Sequence, residues 1–184
     1  MSGITAQQAL AVLREAELLC PPEQIETALD RLATAITARL EGSNPLVLMV
    51  MNGAFVTAAR LLGRLRFPLR VGYLHATRYR SGTRGGEIDW IARPRPAVDG
   101  QVVLVVDDIF DEGDTLKAIL DEVRRHGSTA VYSAVLVNKR HDRKVSGLIV
   151  DFFGLEVPDR YVFGCGMDYK EYWRQLPAIY AVRD

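Results

Sequence analysis

The chain is predicted to fold as an α/β protein with a mostly parallel central sheet flanked by helices. Two observations carry that prediction: apolar runs of β type alternate with segments of helical period, and the central run is apolar without a break. Val102-Val103-Leu104-Val105-Val106 has the pattern of a strand buried on both faces, as a parallel sheet requires. Asp107 and Asp108 follow at once, then Ile109-Phe110 and a third carboxylate at Asp111. Beyond Thr115 the period changes, with Leu116, Ile119, Leu120 and Val123 at helical spacing and Gly127 as the stop. The segment therefore reads strand, acidic turn, helix. Ligands of open α/β sheets bind at the carboxyl ends of the strands, where these acids fall.

The other elements follow in order. Residues 5–40 are predicted helical: Ala9, Leu10, Val12 and Leu13 begin an apolar face, and Pro21-Pro22 break it. Ile25, Leu29, Leu32, Ile36 and Leu40 then recur at three- and four-residue spacing. Leu46 to Met51 is a second buried-type strand, followed by the small turn Asn52-Gly53-Ala54 and a helix to about Leu65. Leu69 to Ala76 is a third strand. The stretch from Thr77 to Gly86, with Arg78, Tyr79, Arg80 and Arg84, is polar, basic and glycine-rich, as active-site lids are. Glu87 to Ala92 returns as a strand, Ala130 to Val137 is another ending at Asn138-Lys139, and Leu148 to Phe153 is one more. Tyr161, Phe163, Tyr169, Tyr172 and Trp173 form an aromatic tail that closes with Ile179-Tyr180-Ala181-Val182.

A length of 184 residues fits a single domain over 1–184 with room for a core. Lys plus Arg and Asp plus Glu balance at 23 each, so no global charge points to nucleic acid or a membrane surface. No apolar run approaches the roughly 20 residues of a membrane span, and the N-terminus lacks the pattern of a secretion signal. Cys20 and Cys165 are far apart without metal-type spacing and are expected to be free thiols of a cytoplasmic protein.

Three carboxylates within five residues either face water or hold cations or hydroxyls, because burying them unpaired is too costly. An EF-hand fails, since the ligands miss the alternate positions and no Glu closes the loop. A Walker A loop fails for lack of Gly-Lys-Ser/Thr. Asp107 to Asp111 matches the DDxxD motif of isoprenoid diphosphate synthases, but those enzymes are all-helical, and here the acids follow a β-type run.

VVLVVDDIFDEGDTL, Val102 to Leu116, resembles the phosphoribosyl-pyrophosphate signature of type I phosphoribosyltransferases. The segment Asp151 to Asp159 (DFFGLEVPD) and the run Gly164 to Tyr169 (GCGMDY), with Glu171-Tyr172 after it, resemble the hypoxanthine-guanine branch. The resemblance implies that family's fold, with a small hood built from N- and C-terminal segments. It also implies transfer of a phosphoribosyl group to a 6-oxopurine with Mg²⁺ as cofactor, and a homodimer or homotetramer with no nucleic-acid or membrane partner. Asp107 and Asp108 are implied at the ribose hydroxyls and Mg²⁺, and Asp111 at the proton on purine N7. The turn Asp111-Glu112-Gly113-Asp114-Thr115 is implied at the 5′-phosphate, with Glu112 and Asp114 expected to point away from it. Asn52 and Gly53 match the pyrophosphate turn, although relatives often carry a cation in place of Asn52. Arg78 and Tyr79 match the catalytic loop, whose basic character is expected to supply the charge that Asn52 does not; Arg174 is implied near the same end. Lys139, Phe152, Phe153 and Asp159 are implied at the purine, Asp159 also at a second Mg²⁺. The alternatives are a xanthine-preferring enzyme and a nucleotide-sensing regulator on the same fold.

Overall fold

The computed structural model describes residues 3–78 and 88–183. Thirteen elements follow in the order α1 (Ala6–Glu15), β1 (Glu17–Cys20), α2 (Pro22–Leu40), β2 (Leu46–Val50), α3 (Ala54–Leu62), β3 (Arg70–Arg78), β4 (Ile88–Arg95), β5 (Val102–Phe110), α4 (Asp114–Arg125), β6 (Ala130–Lys139), β7 (Phe152–Val157), β8 (Val162–Phe163) and β9 (Ile179–Ala181). Six strands form the main sheet in the order β4-β3-β2-β5-β6-β7. All its pairings are parallel except β3 with the edge strand β4. Among the described residues no helix is long and apolar enough to cross a membrane.

The continuous apolar run of β5 has the physical cause expected of it. Leu104 and Val106 join the core beneath α2 and α3, whereas Val103 and Val105 join the core beneath α4. Each such side chain contributes roughly 1.5–3 kcal/mol on burial, and a strand covered on both faces needs them at every position. On α4, Leu116, Ile119, Leu120 and Val123 are buried, as their spacing predicts. On α2 the same holds for Ile25, Leu29, Leu32, Ile36 and Leu40.

Four expectations need correction. Residues 5–40 are not helical throughout: α1 stops at Glu15, and Glu17–Cys20 pairs antiparallel with β9. Of the apolar face assigned to α1 only Ala9 is fully buried; Val12 and Leu13 are half-buried, and Leu10 is 44% exposed. The strand expected at Leu148 to Phe153 begins only at Phe152 and runs to Val157. There Asp151 accepts hydrogen bonds from the Ser133 backbone N–H (2.8 Å) and hydroxyl (2.9 Å), fastening the entry to β7. Finally, Asp107, Asp108 and Ile109 are not in a turn. β6 continues alongside them, pairing Asp107 with Val135 and Ile109 with Val137, so β5 extends to Phe110.

The second sheet, β1-β9-β8, is small and antiparallel. Phe163 stacks on Tyr180 with ring centroids 5.7 Å apart. The Trp173 indole N–H donates to the Ala9 carbonyl at 3.0 Å, which ties α1 to the aromatic tail. Cys20 and Cys165 are both free and buried in the core under this sheet.

Candidate active site

The site grows from the carboxyl ends of β5 and β6. Asp107 and Asp108 stand side by side, and the Asp107 carboxylate accepts the Asp108 backbone N–H at 2.9 Å. Burial, and then the neighbouring Asp108 charge, push Asp107 well above the ordinary carboxylate range. Burial raises Asp108 too, offset in part by its hydrogen bond with the Asp107 side chain and by the charge of Arg174. Two loops close on this pair. A Cβ added at Gly53 would overlap the Asp108 carboxylate, and one at Gly166 would overlap the Gly53 carbonyl oxygen. Arg174 completes the corner, donating to the Gly166 carbonyl at 2.7 Å and pairing with Asp168 at 2.6 Å. Asn52 is exposed beside Gly53, after a cis Met51–Asn52 peptide bond.

The β5–α4 turn presents a helix N-terminus. Gly113 adopts φ 89° and has no side chain with which to cap α4, so the first-turn N–H groups are donors suited to an anion. Glu112 is exposed, and its charge is among those that raise Arg143. Asp114 occupies the first turn of α4, where an acid is favoured by the helix dipole. Thr115 is half-buried in the same turn.

Asp111 is gripped from two sides. Its Oδ2 accepts from the Lys139 ammonium at 2.6 Å, and its Oδ1 lies 2.6 Å from His141 Nε2. Partial burial raises the Asp111 carboxyl, but the hydrogen bonds from Lys139 and His141 outweigh it and hold the group below its ordinary range. Lys139 itself is buried, which a lysine tolerates because it is paired.

A cavity of about 340 Å³ opens against these groups, lined by Asp108, Ile109, Asp111, Lys139, Tyr161, Val162, Met167 and Asp168. Asp108, Asp111 and Asp168, the lysine and the strand β8 thus face one space. Phe152, Phe153 and Asp159, expected at the purine, are not among the lining residues. Phe152 pairs opposite Ala134, well short of Lys139, which pairs with Val157. Its ring packs toward Tyr132 at 6.4 Å, and Phe153 is 49% exposed. Among the described residues the aromatic that reaches the cavity is Tyr161, set edge-on to Tyr169 at 5.5 Å.

Asp159 is exposed and bound in a two-pronged pair by Arg143 at 2.7 and 2.9 Å, whose hydrogen bonds hold its carboxyl below the ordinary range. Asp111, His141 and Asp159 bring possible ligand atoms within 4.8 Å of one another. The Lys139 and Arg143 cations already neutralise both carboxylates there, which disfavours a divalent cation. Tyr79, Arg80 and Arg84 lie outside the described residues, as does the side chain of Arg78. Sequence reasoning missed Tyr161, Val162, Asp168 and His141. For His141 the available signal was a titratable ring two positions past a strand-end lysine.

A profile of the phosphoribosyl transferase domain family matches residues 21–171. The chain is 32% identical over 173 residues to a hypoxanthine-guanine phosphoribosyltransferase of Aquifex aeolicus, covering 93% of this chain and 97% of that one. It is also 32% identical over 164 residues to the bifunctional protein TilS/HprT of Listeria innocua, where the match covers 89% of this chain but a quarter (25%) of the longer protein. Among solved structures, a hypoxanthine-guanine phosphoribosyltransferase of Bacillus anthracis superposes with a TM-score of 0.83 at 28% identity, covering 91% of this chain and 97% of that one.

Proposed function

The chain belongs to the phosphoribosyl transferase domain family, and from that premise we propose that it transfers the 5-phosphoribosyl group of phosphoribosyl pyrophosphate to a 6-oxopurine, hypoxanthine or guanine. The products are IMP or GMP and pyrophosphate. The observation that carries this reading is the single cavity shared by Asp108, Asp111, Lys139 and Tyr161.

As N9 bonds to C1′, the bond from C1′ to pyrophosphate breaks and positive charge develops on the ribose. The Asp107 and Asp108 carboxylates accept the ribose hydroxyls and favour that charge. The N7 proton passes to Asp111, a positioned carboxylate able to act as general base. Lys139 donates to the 6-oxo group. The 6-amino group of adenine is itself a donor and cannot accept from the ammonium, which selects against adenine.

Tyr161 stacks on the base and the Val162 backbone reads its far edge, in place of Phe152 and Phe153; the position of Tyr161 and Val162 on the cavity wall supports this. The first turn of α4, from Gly113 to Thr115, takes the 5′-phosphate. Asn52, Gly53 and Arg78 serve the pyrophosphate, and Tyr79 acts as a catalytic residue of the same loop as Arg78.

The donor set fits Mg²⁺: Asp107 and Asp108 offer hard oxygen ligands, and their burial makes a positive partner favourable. When bound, Mg²⁺ would neutralise pyrophosphate as it leaves.

The test is incubation with phosphoribosyl pyrophosphate, Mg²⁺ and each of hypoxanthine, guanine, xanthine and adenine, following nucleotide formation. Hypoxanthine and guanine should turn over, adenine should not, and a chelator should abolish the rate. Nucleotide binding without turnover of any base would favour a nucleotide-sensing regulator instead.

A further inference from the structure

Of the two side chains that grip Asp111, Lys139 has a task in the transfer chemistry and His141 has none. Its side chain is only 3% exposed, and both ring nitrogens are engaged. Nδ1 lies 3.1 Å from the Arg143 backbone N–H, a group that can only donate. Nδ1 must therefore accept, which puts the ring hydrogen of the neutral imidazole on Nε2, and Nε2 then donates to Asp111 Oδ1 at 2.6 Å.

The loop that carries the ring is anchored on three sides. The Arg143 guanidinium is clamped by Asp159. The Lys144 ammonium sits 4.3 Å from the centroid of the Phe110 ring, and the Val145 N–H donates to the Glu112 carbonyl at 2.7 Å. The last two contacts fix the loop against the turn that bears Asp111.

The two donors on Asp111 have different futures once a purine arrives. Lys139 is needed at the 6-oxo group, whereas His141 is not among the residues lining the cavity and has no purine atom to serve. We propose that His141 is a positioning residue for Asp111, retaining Oδ1 while Lys139 turns to the purine, so that Oδ2 is left aimed at the N7 proton. This rests on the roles given to Asp111 and Lys139 above. A carboxylate on a single-bonded χ2 axis that lost both donors would rotate freely, and a base must lie within hydrogen-bond reach of the proton it takes.

The experiment compares wild type with His141→Ala and His141→Gln, the latter able to offer an amide N–H to Oδ1. Removing a hydrogen bond to a charged group should lower kcat roughly ten- to a hundredfold in His141→Ala, with purine and phosphoribosyl pyrophosphate KM values held within about threefold. His141→Gln should recover most of that loss. An unchanged kcat in His141→Ala, or a fall in His141→Gln as deep as in His141→Ala, would overturn the proposal.

Ring ¹⁵N NMR of the wild-type protein supplies a readout independent of turnover. It should show an Nε2–H ring that persists when GMP is bound, and a ring carrying its hydrogen on Nδ1 would refute the grip on Asp111. Failure of every purine to react would refute the transfer reading, while the NMR result would still decide the role of His141.

Discussion

Asp111→Asn should lower kcat by about 10²–10⁴-fold while leaving nucleotide affinity within a few fold of wild type. The substitution keeps the shape but removes the carboxylate proposed to take the N7 proton. It also spoils the local hydrogen bonding: an amide presents one oxygen to two donors, so either Lys139 or His141 must face its NH₂ group. Stopped-assay kinetics against equilibrium GMP binding separates the two effects, and a parallel loss of both would remove Asp111 from the proton-handling role. The same variant tests the electrostatics. Partial burial raises the wild-type carboxyl, yet the Lys139 and His141 hydrogen bonds bring it below its ordinary value. The stability this contributes is fully present above the unfolded carboxylate pKa of about 3.9 and is lost as pH falls through the lower folded value. The melting advantage of wild type over Asp111→Asn should thus vanish in acid. It should be modest even at neutral pH, because Asp111 is 42% exposed.

Gly166→Ala should be the most damaging single methyl addition in the site. Gly166 has φ 105°, a conformation that L side chains rarely adopt, and its new Cβ would drive into the Gly53 carbonyl oxygen, a backbone atom that cannot swing aside. Both strain and overlap act together, and a loss of about 3 kcal/mol or more is expected. Because Gly53 in turn abuts Asp108, any relief by movement displaces the Asn52-Gly53 turn from Asp108. Gly147→Ala is the control: φ is 79° there, but nothing lies within 4 Å of the added atom, so only strain remains, about 1–2 kcal/mol. Denaturant midpoints for the two variants give the comparison. Equal midpoints would mean that the packing against Gly53 carries no weight.

Much of the architecture was legible because it is written in local pattern. The apolar run of β5 announces a strand covered on both faces, and the change to helical period at Leu116 marks α4. The elements that were misread depend on distant partners. Glu17–Cys20 is four residues long with no alternation of its own, and it is a strand only because Ile179–Ala181 lies beside it. Asp107 and Asp108 look like turn residues until β6 is seen to run alongside them. The site divides in the same way. Asp107, Asp108, Asp111 and Lys139 end strands whose direction the sequence indicates, whereas choosing between the aromatic pair Phe152-Phe153 and Tyr161 requires knowing which strand faces the cavity. Register supplies that answer, and register is a property of pairing rather than of composition. His141 was hidden in a polar loop, where a titratable ring just past a strand-end lysine says nothing of which carboxylate it meets.

The pairing of Glu17 with Ala181 has a consequence for kinetics. The strand that bears Tyr161's neighbours Val162 and Phe163 is held by β9, and β9 in turn by β1, from the other end of the sequence. Closing so long a loop is entropically costly before the main sheet exists to hold its ends together. The small sheet should therefore be unformed at the folding barrier and should govern how long the native state lasts rather than how fast it is reached. Trimming the stacked ring in Phe163→Leu should accelerate unfolding while leaving the refolding rate nearly unchanged in a chevron measurement, and a matching slowdown of refolding would count against it. The roof of the cavity then acts as the latch on the molecule's lifetime.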